Sequence, residues 1–461
     1  MKIKTAKKYK KKQVLIVGLG KSGSATLELM ALSGANISVY DNKDIEWEDP
    51  KTYTKIKQIG ATAYLNGKEV PNEKWDYIAI SPGVTPQLPF VVEGIKNGAI
   101  LTGDLELAFE VAQVRFVAIT GTNGKTTTTT LTGEMFKNAG IESKVTGNIG
   151  KAVIASALEA HQEEVFVTEV SSFQLETIKA FQPKVSAILN VTPDHLDRHG
   201  SLENYAEVKA KIFENQKEDG YFVGNADDPI VEKLSKKCKA TKMPFSRKKT
   251  LSQGTFVQDG RMVLRTPDGE EIDLIAPEEL KIPGLHNLEN ALAAASIAWC
   301  GGVPVEYIRK TLKSFKGVEH RLEPVATING VKFVNDSKGT NPEASMRAIE
   351  ATKANILLIA GGYDKHSDFH GFIRAFDGKV SQLILLGATA PQIKREAEEE
   401  GFTEVSMVDD MGEAVRLAFE LAMEGDTVLL SPACASWGMY TCFEERGNHF
   451  KKCVRELKKK E

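Results

Sequence analysis

The sequence predicts an α/β protein of three domains, each organised around a mostly parallel sheet. Three observations carry this. Short β-branched runs alternate with helical stretches for most of the chain, the pattern of strand–helix–strand units. At 461 residues the chain has room for about three domains. Two of the expected strands run straight into glycine loops that open helices, the place where open α/β sheets receive ligands.

Seven of the first twelve residues are lysine, and "QVLIVGLG" follows. That apolar run is short and ends in glycines, so it reads as a basic tail entering a first strand and not as a signal peptide. The first section continues through "NISVYD" and "YIAISPGV". The second opens with "VRFVAIT" and runs through "VFVTEV", "VSAILN" and "GYFVGN". After it, "GTFVQDGRMVLRTPDGEEIDL" reads as β-hairpins turning at Asp259-Gly260 and Asp268-Gly269. The periodic, alanine-rich "NLENALAAASIAWC" is a helix. A third section begins near "GVEHRLEPV" and alternates again through "VKFVND", "NILLIAGG", "QLILLGA", "EVSMV" and "DTVLLSP".

Several classes are disfavoured by composition. A net charge of −3 gives no electrostatic reason to expect nucleic acid as a partner. No apolar stretch approaches the ~20 residues that span a bilayer. The five cysteines, at 238, 300, 434, 442 and 453, form no C-x-x-C pair or metal spacing, which suits a reducing cytosol. Cys434 has no base beside it and reads as a small packing residue.

Residues 118–130, "AITGTNGKTTTTT", carry the sharpest signal. A strand delivers the chain into Gly121, Thr122, Asn123, Gly124, Lys125, Thr126 and Thr127, and a helix follows to about Asn138 with Gly140 as a stop. The glycine spacing is compressed relative to G-x-x-x-x-G-K-[ST]. Even so, glycines let backbone N–H groups approach a phosphate, and the helix N-terminus adds positive potential. Lys125 supplies a cation for the outer phosphates and the Thr126 hydroxyl a Mg²⁺ ligand. The alternative is a tight turn with an N-cap, but five successive threonines, 126–130, suit a structural helix poorly.

Glu169 closes the strand "VFVTEV", where a carboxylate among β-branched residues is costly unless paired or metal-bound. It is a candidate Mg²⁺ ligand; the alternative is a strand-end glutamate reaching solvent. In "LNVTPDHLDRHGS", Asp194, His195, Asp197, Arg198 and His199 crowd the loop after a strand, either as a ligand site or as a solvated loop.

A second fingerprint, "GLGKSG" at 18–23, matches G-x-G-x-x-G, and Asp41 follows at nearly the spacing of a ribose-binding carboxylate. Alone it would indicate a nicotinamide-dependent oxidoreductase. The section is short for a full dinucleotide fold, however, and suits a single nucleotide diphosphate. Two phosphate sites in one chain point to ATP plus a nucleotide-bearing substrate, and so to a transferase or ligase.

Taken in order, "GTNGKTT", "TEVSSFQLE", "PDHLDRHGS", "GLHNLENALAA", "EHRLE" and "NDSKGTNPEA" resemble the Mur ligases of peptidoglycan synthesis over nearly the whole chain. Folylpolyglutamate synthase, a relative, shares the ATP loop but would not carry "VGLGKSGSA", "YDNK" and "SPGV"; that set, with "LLSPACAS", is similar to the branch that adds D-glutamate to UDP-N-acetylmuramoyl-L-alanine. The resemblance implies a Rossmann-like UDP-substrate domain over 1–105, a P-loop ATPase-like domain over 106–318 and a Rossmann-like, amino-acid-binding domain over 319–461. It further implies a bacterial, cytoplasmic, monomeric enzyme using ATP and Mg²⁺, with closure bringing the ATP contacts of two domains together.

Site residues follow from the same likeness. Gly121 to Thr127 become the ATP loop, and Thr126, Glu169, His195 and Lys209 the magnesium site, with Lys209 at a position where the family carries a carbamylated lysine. An unmodified surface lysine is the alternative there. Asn148 and Lys338 match positions near the reaction centre. Asn287, Asn290, Arg321 and Asp336 match nucleotide contacts, although Asn287 could simply cap its helix. Ser22, Asp41, Asn42, Lys43 and Gly83 match the UDP end, and Thr340, Lys365, Ser436 and Phe443 the D-glutamate end. Gly438 departs from the aspartate that relatives commonly carry.

Overall fold

The computed structural model describes residues 6–457 apart from 283, 354 and 364–367, and leaves out the side chains of Ala6, Asp197 and Glu343. The expected D-glutamate residue Lys365 therefore lies outside the described residues. The chain forms two compact units, Met1–Phe315 and Lys316–Glu461.

The first unit opens with a parallel sheet of β1 (Gln13–Val17), β2 (Asn36–Tyr40), β3 (Thr62–Tyr64), β4 (Tyr77–Ile80) and β5 (Ile100–Gly103), in the order β3-β2-β1-β4-β5. β3 and β5 have no counterpart among the expected strands, because three- and four-residue strands with partly exposed positions present no apolar run. The order reverses between β1 and β4. There the loop after β1 meets the loop after β4: Ser81 Oγ donates to Gly18 O at 2.8 Å.

A second parallel sheet comprises β6 (Arg115–Thr120), β7 (Ser143–Gly147), β8 (Val165–Glu169), β9 (Val185–Ile188), β10 (Tyr221–Gly224) and β11 (Thr241–Lys242), ordered β11-β10-β9-β6-β8-β7. β6 is central, flanked by β8 and β9, so the loops after all three open at one end of the sheet. Both sheets share one apolar core. Phe109, on the helix Asp104–Val111 that joins the sheets, packs edge-on against Phe116 and Phe181, with centroids 5.9 and 5.6 Å apart. Each such pair adds roughly 0.5–1.5 kcal/mol to the burial of its rings. The same helix buries Glu106, whose carboxylate accepts the backbone N–H groups of Lys179, Ala180 and Phe181 at 2.8–3.0 Å. That satisfied carboxylate staples the helix to the segment entering β9.

A small sheet follows, of β12 (Phe245–Ser246), β13 (Gly254–Gln258), β14 (Arg261–Arg265) and β15 (Glu271–Asp273). β13 and β14 pair Gln258 with Arg261 across Asp259 and Gly260, whose φ of +48° and +71° are those of a type I′ turn. Helix Leu285–Cys300 then packs on the helix Lys125–Asn138 that follows β6.

The second unit holds β16 (Glu323–Ile328), β17 (Val331–Asn335), β18 (Ile356–Ala360), β19 (Val380–Leu385), β20 (Val405–Met407) and β21 (Thr427–Leu430), ordered β16-β17-β21-β18-β19-β20. All pairs are parallel except the β16–β17 hairpin, which turns through Asn329-Gly330. β16 departs from strict alternation because it is a half-buried edge strand whose pairing with β17 is irregular between Pro324 and Ala326, although Val325, Ala326 and Ile328 still pack on the core. Apolar clusters fill both faces of this sheet.

Candidate active site

The site is built where the central sheet's strands end. β6 delivers the chain to Gly121, and the loop is braced from β9's exit. Asn190 Oδ1 accepts Asn123 N–H at 2.8 Å and Asn190 Nδ2 donates to Asn123 O at 3.2 Å. The Thr122 hydroxyl donates to Thr192 O at 3.1 Å and accepts Thr192 N–H at 3.0 Å. Gly124 takes φ +80° at the helix start, and a Cβ there would lie 2.2 Å from Asn290 Oδ1. Asn290 also accepts from the Thr128 hydroxyl at 3.3 Å, and its Nδ2 donates to Asn287 Oδ1 at 3.2 Å. Asn287 is thus inside its helix beside the loop, and Gly284 takes the N-cap position.

Lys125 Nζ folds back to donate to Gly121 O and Thr122 O, at 2.8 and 2.9 Å. Lys209 donates to Gly121 O from the other side at 3.0 Å, its ammonium 4.3 Å from the centre of the Tyr205 ring. Lys209 is 1% exposed, so it is no surface lysine. Burial, reinforced by the Lys125 charge and opposed by Asp194, pulls its pKa well below the ordinary lysine value.

Glu169 ends β8 in register with Ile119 of β6, one strand from the loop. It is buried, not solvent-reaching. Its Oε1 accepts from Asn148 Nδ2 at 3.0 Å, and Asn148 N–H donates to Glu169 O at 3.0 Å. Glu169 Oε2 is buried without a hydrogen-bond partner among the described residues, as are the Thr120 and Thr129 hydroxyls. A half-satisfied buried carboxylate beside a helix N-terminus is the environment that a Mg²⁺ ion coordinated to a phosphate would complete. The residues present therefore fit a metal–triphosphate.

His195 opens a single helical turn with φ +51°, and its side chain is 49% exposed, near Asp194 (Nε2–Oδ2 3.7 Å) and Phe173 (centroids 4.9 Å). His199, by contrast, is buried, meets Ser172 Oγ at 3.0 Å, and has its pKa lowered by that burial. Asp197's side chain is outside the described set.

At the switch point of the first sheet, Asp41 is buried and accepts Leu19 N–H at 2.7 Å and Lys43 N–H at 3.0 Å, which shapes the glycine loop. Ser22 donates to Asp104 Oδ2 at 2.7 Å, and Gln174 reaches the same carboxylate at 3.2 Å. Burial raises the Asp104 pKa. Asn42, Lys43 and Gly83 are exposed around this mouth, with Lys43 paired to Glu48 at 2.9 Å.

In the second unit, Asp336 follows β17 and is buried. It accepts Leu322 N–H at 3.2 Å and the Ser431 hydroxyl at 2.7 Å. Burial pushes its carboxyl up to about 6, against Ser431 and the nearby Arg321 charge. Lys338 Nζ lies 5.4 Å from the Phe443 ring centre, so these two expected residues come together. Thr340 N–H donates to Lys338 O at 2.9 Å, and Ser436 is buried in the loop after β21. Gly438 takes φ +87°, a conformation glycine adopts without strain and aspartate tolerates. Cys434 is buried against the Thr389 hydroxyl at 3.3 Å, as a packing residue should be.

Sequence reasoning missed Asn190, Asp104 and Arg446. Buried Arg446 donates to Ser337 O, Ser337 Oγ and Cys434 O, tying the loops after β17 and β21; burial lowers its pKa to about 10. A polar residue ending an apolar strand, as in "AILN", was the available signal for Asn190.

Comparison with known proteins agrees with this architecture. The Mur ligase middle domain matches residues 119–298, and the Mur ligase glutamate ligase domain residues 320–434. A UDP-N-acetylmuramoylalanine–D-glutamate ligase of Caldanaerobacter subterraneus subsp. tengcongensis is 49% identical over 98% of this chain and 99% of its own. The Clostridioides difficile protein of the same name is 44% identical over 97% and 99%. Among solved structures, the UDP-N-acetylmuramate–alanine ligase of Thermotoga maritima matches with a TM-score of 0.58 at 19% identity, covering 98% of this chain and 100% of its own. A MurF ligase from Thermotoga maritima, solved with ADP, matches with a TM-score of 0.54 at 19% identity, over 84% of this chain and 98% of its own. With its motifs in order and nearly half of the aligned positions shared with a relative over 98% of its length, the chain belongs to the Mur ligase family.

Proposed function

We propose that this chain is an ATP-dependent ligase that joins D-glutamate to UDP-N-acetylmuramoyl-L-alanine. The single observation that carries the reading is buried Glu169, with one oxygen held by Asn148 and the other without a hydrogen-bond partner among the described residues, one strand from the phosphate loop. The loop backbone and Lys125 bind the outer phosphates of ATP. Thr126, Glu169, His195 and a carbamylated Lys209 would hold Mg²⁺, which when bound neutralises phosphate charge and polarises the transferred group.

The substrate carboxylate attacks the γ-phosphorus; the bond to the β–γ bridging oxygen breaks, leaving ADP and an acyl phosphate. The amine of D-glutamate then attacks the acyl carbon, and phosphate departs as the amide forms. This chemistry gathers anions, so the cations Lys125 and Lys338 carry much of the transition-state stabilisation. Asn148 would orient the reacting carboxylate. Asn287, Asn290, Arg321 and Asp336 hold the nucleotide. Ser22, Asp41, Asn42, Lys43 and Gly83 take the UDP end, and Thr340, Lys365, Ser436 and Phe443 the incoming amino acid. Burial of Lys209 supports its carbamylation, because the neutral amine is the form that reacts with CO₂.

The domain division 1–105, 106–318 and 319–461, and monomeric action in the bacterial cytosol, belong to the same reading. No helix among the described residues is long and apolar enough to cross a membrane. The test supplies ATP, Mg²⁺, UDP-N-acetylmuramoyl-L-alanine and D-glutamate and follows phosphate release. Release that requires a different amino acid would keep the ligase and remove the D-glutamate assignment.

A further inference from the structure

Arg198 lies where the two parallel sheets of the first unit meet. Its Nε and Nη2 donate to both Glu176 oxygens, at 3.1 and 2.6 Å. From the same fork, Nη1 reaches Pro82 O at 3.3 Å and Nη2 reaches Val84 O at 3.2 Å. The guanidinium stacks 4.1 Å from the centre of the Phe173 ring, and that ring also meets His195 at 4.9 Å. One side chain from the loop after β9 thus touches the loop after β4 and, through Phe173, the histidine expected at the metal.

The two carbonyls it reaches bracket Gly83. In a planar trans peptide, C=O and N–H point in opposite directions, so holding Pro82 O aims the Gly83 N–H away from Arg198. Gly83 is exposed, and among the described residues nothing lies within 4 Å of where its Cβ would be, so this edge of the turn is open to a ligand. The turn is closed by Val84 N–H donating to Ser81 O at 2.9 Å, which fixes the Gly83–Val84 peptide and leaves the Pro82–Gly83 peptide to be oriented from outside. Only a planar fork serves two carbonyls and a bidentate carboxylate at once; a lysine cannot.

We propose that Arg198 is a positioning residue that couples the turn at Gly83, which receives the nucleotide-bearing substrate, to the loop carrying His195. The proposal rests on the functional reading above for the identity of that substrate.

The test uses full-length Arg198→Ala and Arg198→Lys, with Glu176→Gln as a milder variant that keeps the guanidinium but weakens its anchor. Without ligand, exchange of the hydrogen-bonded Ser81 and Val84 amides should accelerate about tenfold in Arg198→Ala and not be restored in Arg198→Lys, because local opening replaces a charge-assisted contact. By calorimetry, affinity for UDP-N-acetylmuramoyl-L-alanine should weaken about tenfold while that for ATP stays within about threefold. Glu176→Gln should fall between. Unchanged exchange, or faster exchange with unchanged affinity for the UDP substrate, would overturn the coupling. Failure of the unsubstituted chain to bind that substrate would remove the functional reading instead, and the exchange arm would still decide whether Arg198 holds the turn.

Discussion

Asn148 Nδ2 holds Glu169 Oε1 at 3.0 Å, while Glu169 Oε2 is buried and meets no hydrogen-bond partner among the described residues. Packing has therefore oriented the carboxylate and left one acceptor oxygen unsatisfied, a cost of roughly 1–3 kcal/mol by the usual desolvation penalty.

Glu169→Gln should lower turnover by about two orders of magnitude or more, the size of effect expected when a pre-aimed electrostatic group is lost. Stability should change by no more than ~1 kcal/mol, since the amide is isosteric and still pairs with Asn148. Steady-state phosphate release and thermal melting check the two halves separately.

Lys125→Ala should cost ~3–4 kcal/mol of transition-state stabilisation, as the loss of one well-placed donor does. Its hydrogen bonds to the loop's own carbonyls Gly121 O and Thr122 O are lost with it, so a stability measurement accompanies the kinetic one. A single-turnover measurement at saturating ATP showing near-normal rates would refute the role.

Gly124→Ala should destabilise the first unit by roughly 1–3 kcal/mol, combining a left-handed residue with a clash. The Cβ would sit 2.2 Å from Asn290 Oδ1, which must turn away and release Thr128. Denaturant unfolding reads the loss; unaltered stability would mean that Asn290 moves freely.

Lys209→Met should raise stability, most strongly at low pH. The folded-state pKa of Lys209 is depressed, so the unfolded chain binds more protons between that value and the ordinary lysine pKa. Stability of the unsubstituted protein accordingly rises with pH across that window, and the methionine chain lacks this rise. Melting curves of both chains across alkaline pH give the comparison, in the absence of bicarbonate.

Asp336→Asn tests the opposite sign. With its carboxyl raised to about 6, the folded second unit holds a proton that the unfolded chain releases near pH 4. Its contribution is fully present below pH ~4 and is lost as pH rises through about 6, an effect of up to about 3 kcal/mol. The asparagine variant should show a flatter stability profile between pH 4 and 7; an unchanged slope would place the titration elsewhere.

Local chemistry made much of this protein readable in one dimension. The loop from Gly121 to Thr127 announces itself because glycine, lysine and threonine at a strand-to-helix corner have few other uses, and Asp259-Gly260 names its own turn. Glu169 was legible as an anomaly, a carboxylate ending an apolar strand. Strand alternation was enough for the fold class, although short edge strands such as Thr62–Tyr64 carry too little apolar pattern to be seen.

Other assignments needed distant parts of the chain to meet. Lys209 lies 88 positions from Gly121, and only folding buries this helix lysine against the phosphate loop. Arg198 and Pro82 are 116 positions apart, and no periodicity could pair a charged fork with two backbone carbonyls. Sequence alone determined which residues could do phosphate and carboxylate chemistry, because that depends on side-chain type and local backbone. Tertiary structure decided which of them are buried, unpaired or held, because desolvation and hydrogen-bond geometry exist only once separate strands end at the same edge of a sheet.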